Sequence, residues 1–180
     1  LFYGQLCTKI VCPLCNHYSY TYDPISTVSL PIPEQVEISL EDCFDLYTNE
    51  EILDTDNQYK CDKCQQKHNA KKKDSFWKLP KILIVHLKRF FGNIRKNNNF
   101  IKYPIENLDL SKYFVGYDNY EKNYNLYAIG CHEGSINAGH YYSYCLNSDE
   151  KWYCYNDGSV SLANEEMITT NSAYCLFYMR

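Results

Sequence analysis

Two C-x-x-C pairs, Cys12-Pro-Leu-Cys15 and Cys61-Asp-Lys-Cys64, stand 45 residues apart and constrain this chain more than any other feature. A C-x-x-C turn directs two thiolates to one side, and two such turns complete a tetrahedral donor set. Four thiolates with no open position suit a structural ion without redox chemistry, and zinc is the expected one. Because the pairs are distant in sequence, the ion would pin two strand pairs together, as a ribbon does. Redox dithiols and two disulfides are the competing readings. A single metal site accounts for both pairs at once, and His17, close to the first pair, is left for an outer shell or the surface.

The other six of the ten cysteines are scattered, so the pattern is not that of a disulfide scaffold. The opening residues, Leu1 to Gln5, carry no initiator Met, no basic start and no signal-peptide core, and read as a chain met in mid-sequence. A reducing compartment, cytoplasmic or nuclear, is the expectation. A net charge of −4 in 180 residues argues against nucleic acid as main partner. No apolar run is long enough to span a membrane as a helix. The 19 tyrosines bring large apolar bodies with polar tips, so aromatic contacts should be abundant.

Along the chain, Gln5 to Val11 reads as a strand and His17 to Tyr22 as its return, with Tyr18, Tyr20 and Tyr22 on one face. A short strand over Thr27 to Leu30 precedes the breakers Pro31 and Pro33. Ser39 and Asp42 form an S-x-x-D capping box, and Leu40, Cys43, Phe44 and Tyr47 make one apolar helical stripe ending near Asn49. The run Lys71-Lys72-Lys73 reads as a solvated turn. Lys81 to Phe90 has the β-branched density of a buried strand, with His86 a hydrogen-bonded core histidine. Strands are expected at Tyr124 to Cys131, Tyr141 to Leu146, Lys151 to Tyr155 and Tyr174 to Met179. Short links between them imply an antiparallel sheet.

The segment Gly134-Ser-Ile-Asn-Ala-Gly139-His140-Tyr141 opens a glycine-flanked loop directly into a strand. A histidine held there by a rigid sheet is well placed as a general base. A returning strand would bring Asn156 and Asp157 beside its imidazole, where an amide or carboxylate orients the ring. Taken alone, a Gly-His-Tyr triplet is more often a turn bearing a surface histidine.

The order of these motifs resembles the ubiquitin-specific proteases, papain-like thiol proteases that cleave after the C-terminal glycine of ubiquitin. The resemblance runs from Leu1-Phe-Tyr-Gly-Gln-Leu through both cysteine pairs, Leu79 to Phe90 and Tyr103-Pro104. It continues in Gly139-His140-Tyr141, Trp152-Tyr153, Asn156-Asp157 and Ala173 to Tyr178. It implies an α+β fold of mainly antiparallel strands, with zinc-ribbon fingers over about 1–78 and a palm over about 79–180. His140 would be the general base, Asn156 would orient it, and Asp157 would support the site. Phe90 and Tyr141 would border the channel for ubiquitin's C-terminal tail, with segments 93–99 and 133–138 as loops over it. Nothing resembles the family's thumb or its Gly/Asn-rich nucleophile box, and Cys7, Cys43, Cys131, Cys145, Cys154 and Cys175 occupy structural patterns. The chain alone is therefore expected to bind ubiquitin without hydrolysing it. It is also expected to self-associate unless a second chain supplies the thumb. A ubiquitin-binding pseudoenzyme and a zinc-ribbon nucleic-acid module are the alternatives.

Overall fold

The computed structural model describes residues 1–91, 95–135 and 137–180. The first elements are β1 (Gly4–Val11), β2 (Tyr18–Ile25), β3 (Val28–Leu30), β4 (Ile38–Ser39) and α1 (Leu40–Tyr47). Then come β5 (Glu51–Leu53), β6 (Tyr59–Lys60), β7 (Lys67–His68), β8 (Ala70–Lys78) and β9 (Ile82–Leu87). The next strands are short: β10 (Phe90–Phe91) pairs with β11 (Arg95–Lys96), β12 (Ile101–Lys102) pairs in parallel with β4, and β13 (Leu108–Asp109) follows. The last part is β14 (Asn123–Gly134), β15 (Gly139–Leu146), β16 (Trp152–Asn156), β17 (Ser159–Ala163), α2 (Glu165–Ile168) and β18 (Ala173–Met179).

Two sheets carry the architecture, which is α+β with antiparallel strands dominant. The smaller has the order β2-β1-β8-β5, and its far end carries the β6–β7 hairpin. The larger runs β17-β16-β15-β14-β18-β9-β3, with β13 paired to β14. All its pairings are antiparallel except β3 with β9, which run parallel in the register Val28↔Val85. Segments from before and after residue 78 therefore meet in the large sheet and its core. Residues 28–30 join the large sheet, and Ile38, Leu40, Cys43 and Phe44 sit in the same buried cluster as Leu83, Val85 and Leu87. The chain visits the large sheet, leaves for the small one, and returns.

The capping box forms as the sequence requires. Asp42 N–H donates to Ser39 Oγ at 3.1 Å, and Ser39 N–H donates to Asp42 Oδ2 at 2.8 Å. The helix runs to Tyr47 with Thr48 as its C-cap, whose hydroxyl and N–H both donate to the Phe44 carbonyl. Its stripe buries Leu40, Cys43 and Phe44, with Phe44 against Phe76 of β8 and Tyr113. Each such side chain removed from water contributes about 1.5–3 kcal/mol. Part of the tyrosine excess lies in this core, where three of the buried hydroxyls reach backbone carbonyls. Tyr103 donates to the Ile168 carbonyl, Tyr124 to Pro80 and Tyr178 to Pro104.

Three expectations need correction. Lys71-Lys72-Lys73 is not a turn but lies in the middle of the small sheet, between β1 and β5. Lys71 pairs with Glu50, and Lys72 with Glu51 and Asp74, which offsets the charge density along β8. The strand expected through Phe90 ends at Leu87 and buries only alternate residues. Arg89 turns inward there, fully buried, and its guanidinium donates to the carbonyls of Ala173, Asn97 and Asn99. β17 was not expected. It pairs with β16 through a two-residue turn, Asp157-Gly158, in which Asp157 adopts φ 50°.

Candidate active site and metal centre

The four cysteines of the two pairs converge at the far end of the small sheet, with their sulfurs all within 4.8 Å of one another. Cys12 Sγ lies 3.9 Å from Cys64 Sγ, and Cys15 Sγ lies 3.6 Å from Cys61 Sγ. These are not disulfide separations, and all ten cysteines are free. They match the ~3.8 Å between sulfurs that a tetrahedral tetrathiolate site with bonds of about 2.3 Å would give.

Both turns are built alike. In the first, Asn16 N–H donates to the Cys12 carbonyl and Cys12 N–H to the His17 carbonyl. In the second, Gln65 N–H donates to the Cys61 carbonyl and Cys61 N–H to the Gln66 carbonyl. Asn16 (φ 54°) and Gln65 (φ 59°) both take the left-handed conformation that folds the chain back after the second cysteine. Backbone N–H groups face the sulfurs, and that of Cys64, followed by that of Lys63 against the opposing pull of burial, draws the Cys61 thiol down to about 7. At Cys15 the backbone at His17 acts the same way, but burial and the neighbouring thiols of Cys12 and Cys61 hold the thiol up at about 11, and the Cys64 thiol is raised likewise. His17 contributes its carbonyl. His68, which the sequence did not single out, is the histidine beside the cluster, with Nε2 at 3.4 Å from Cys64 Sγ.

The second site lies at one end of the large sheet. His140 is the second residue of β15, and Asn156 closes β16 beside it. The β15–β16 register, Ser143↔Tyr155, carries Asn156 to the level at which its amide meets the imidazole. His140 Nε2 lies 2.7 Å from Asn156 Oδ1. An amide oxygen only accepts, so Nε2 carries the ring proton and Nδ1 keeps its lone pair. A ring held in one tautomer with an open basic nitrogen is equipped to take a proton from a nucleophile. Asp157 sits in the exposed turn that follows, and among the described residues its carboxylate makes no hydrogen bond to His140 or Asn156.

Phe90 and Tyr141 are brought together indirectly, through a cluster that the sequence reading missed. The His132 ring packs 5.5 Å from Phe90 and 4.6 Å from Tyr141, and Tyr174 closes the group at 6.1 Å from Phe90 and 6.3 Å from Tyr141. His86 edges onto Tyr174 and accepts or donates with Ser29 Oγ at 3.2 Å, so it is hydrogen-bonded but only half-buried. Counting back from the Gly134–Gly139 turn pairs His132 with Tyr141, a signal the sequence did contain. Gly139 has no side chain for a local reason: a Cβ there would run into the His132 ring. In the two loops expected over the channel, Asn93, Ile94 and Ile136 lie outside the described residues.

No cysteine sulfur is recorded in a hydrogen bond with His140 among the described residues. Burial pushes the Cys43 and Cys131 thiols up to about 12 and raises those of Cys7 and Cys175. None of these four has the low-pKa character of a nucleophile.

A family model described as ubiquitin carboxyl-terminal hydrolase matches residues 1–178. Ubiquitin carboxyl-terminal hydrolase 2 of Gallus gallus is 38% identical over 99% of this chain and 51% of its own length. Ubiquitin carboxyl-terminal hydrolase 5 of Saccharomyces cerevisiae is 37% identical over 100% of this chain and 24% of its own. The chain therefore spans about half, or less, of the length of the curated relatives it matches. Among solved structures, the SAGA Ubp8/Sgf11/Sus1/Sgf73 DUB module bound to ubiquitin aldehyde superposes with a TM-score of 0.86 at 33% identity, over 99% of this chain and 41% of that one.

Proposed function

This chain belongs to the ubiquitin carboxyl-terminal hydrolase family, and from that premise we propose that it supplies the general base and its orienting amide to a thiol-dependent deubiquitinase. The single observation that carries the reading is the 2.7 Å contact between His140 Nε2 and Asn156 Oδ1. In the proposed reaction Nδ1 takes the proton of a thiol and then hands it to the leaving amine. The thiolate attacks the carbonyl of ubiquitin's terminal glycine. Water, deprotonated by the same nitrogen, releases the acyl group. Asn156 keeps the ring in one tautomer throughout and shares the positive charge that the imidazolium acquires.

The nucleophile comes from outside these 180 residues. The burial of Cys7, Cys43 and Cys131 and the raised thiols support this, so the isolated chain is expected to bind ubiquitin weakly and hydrolyse nothing. A large sheet that presents exposed Tyr141, Val160 and Leu162 fits a partner surface, whether ubiquitin, a thumb on another chain, or a second copy. Phe90 and Tyr141, joined through His132 and Tyr174, form an aromatic floor suited to an extended glycine-ended tail. Asp157 is kept as a supporting acid that acts through solvent or through substrate. Zinc is the ion we assign to Cys12, Cys15, Cys61 and Cys64, because the donor set is four thiolates with no open position. Its role there is structural.

The test is made in the full-length protein, with a fluorogenic ubiquitin C-terminal amide as substrate. His140→Ala should lower turnover by roughly 10²–10⁴-fold, as loss of a general base does. Asn156→Ala should cost less, since it orients the ring without carrying the proton. Near-normal turnover of His140→Ala removes the assignment.

A further inference from the structure

His140 has a second support, on the side away from Asn156. Glu133 lies directly opposite His140 in the β14–β15 register, and Tyr142 follows His140 by two, so all three side chains leave the same face of the sheet. The Tyr142 hydroxyl donates to Glu133 Oε1 at 2.9 Å, and the Ser172 hydroxyl donates to the same oxygen at 3.2 Å. One carboxylate oxygen therefore ties β14, β15 and the lead into β18 together at the end of the ladder where His140 stands. The Ser172 carbonyl adds to this by accepting from His132 N–H. The Tyr142 ring lies 6.3 Å from the imidazole and within 20° of parallel to it. Burial pushes the Tyr142 phenol well above its ordinary range, so it remains a donor.

Strand ends fray, and β15 begins only one residue before His140. Asn156 fixes one ring nitrogen but does nothing for the backbone that carries the ring. We propose that Glu133, held by Tyr142 and Ser172, is a positioning residue: a three-strand clamp that keeps the first turn of β15 paired and the His140 imidazole in register with Asn156. The inference rests on the general-base reading of His140 for its functional meaning, but the clamp itself is a statement about the ring's geometry.

Two readouts separate those layers. The first needs no activity: long-range ¹⁵N–¹H spectra of the 180-residue chain report the His140 tautomer directly. The wild-type ring should show one tautomer protonated at Nε2. Glu133→Ala and Tyr142→Phe should give a mixture of tautomers and shifted ring protons. Glu133→Gln, whose amide oxygen can still accept both hydroxyls, should recover most of the single-tautomer signal. The second readout is steady-state kinetics of the full-length protein. Glu133→Ala should lower kcat by roughly ten- to a hundredfold with KM nearly unchanged, the pattern of a displaced reacting group. Glu133→Gln should restore most of that loss. An unchanged tautomer in Glu133→Ala and Tyr142→Phe overturns the clamp whatever the kinetics do. A shifted tautomer with unchanged kcat leaves the clamp standing and removes instead the role of His140 in turnover.

Discussion

The tip of the small sheet and the interior of the large one hold together by different means. Across residues 12–27 and 54–69 only two residues are buried, and they are Cys12 and Cys61. Everything else at the tip, including Tyr18, Tyr20 and Tyr22, is exposed or half-exposed. The large sheet instead has Leu30, Leu83, Val85, Leu87, Ile129, Leu176 and Tyr178 buried in one contiguous cluster. Collective burial resists local failure, because each contact is backed by its neighbours. A tip with no apolar core has the four-cysteine cluster and little else to hold it. The difference teaches where each kind of precision is needed. The site proposed to move protons is mounted on the collectively packed sheet, and the part that reaches outward gathers the four cysteine sulfurs proposed to hold an ion.

Removing the metal should break this comparison most visibly. Structural zinc sites bind with apparent free energies of about 10–16 kcal/mol near neutral pH, far beyond what the exposed tip can supply on its own. A strong chelator should release close to one zinc per chain. It should abolish hydrogen-exchange protection over 12–25 and 58–70 and leave protection in β9, β14 and β18. Persistent protection at the tip, with reactive thiols at Cys12 and Cys64, would show that the small sheet stands without an ion.

The core half is probed by Leu87→Ala. Leu87 is fully buried at the end of β9, beside the inward turn of Arg89. Its truncation should cost about 2–5 kcal/mol in urea unfolding, spread over the whole large sheet, with the metal content unchanged. A loss confined to the tip would contradict the division.

A smaller effect is expected at α1, which packs between the two sheets. The Ser39 hydroxyl, then the Ser39 N–H, holds the Asp42 carboxyl below its ordinary value of 3.8. A carboxyl with a depressed folded-state pKa adds stability that is fully present above the unfolded value. That stability is lost as pH falls through the folded one. Asp42→Ala should therefore destabilise by about 0.5–1 kcal/mol at neutral pH. The gap from wild type should close below about pH 4. An equal gap at pH 7 and pH 2.5 would mean the cap contributes through packing rather than charge.

Much of this was legible in the chain. The cysteine spacing, the capping box and the strand carrying His140 each rest on local rules, and each formed. The lysine run did not read correctly because the face of β8 that carries Ala70 and Phe76 also carries Lys72 and Asp74. A salt bridge stands where alternation would show an apolar residue. The return of the chain to the large sheet was hidden because β3 is three residues long and its partner is known only once the fold exists. In the sequence His132 is a lone histidine. Its meaning comes from Phe90 and Tyr174, which arrive from other strands.

The parallel pairing of β3 with β9 also sets an order in time. A parallel pair needs a long crossover, and here the crossover runs through α1, β5, the β6–β7 hairpin and β8. Contacts between segments so far apart in sequence are slow to form, because the chain must be closed before they reward it. The thiolate cluster shortens that search. β2 leads into β3 and β8 leads into β9, so an ion that gathered Cys15 and Cys61 would bring both lead-in strands into one sheet, on either side of β1, before the large sheet exists. Metal captured early would then quicken assembly of a region it never touches. Refolding should be faster with the ion than without it, while the large sheet unfolds at much the same rate in both cases.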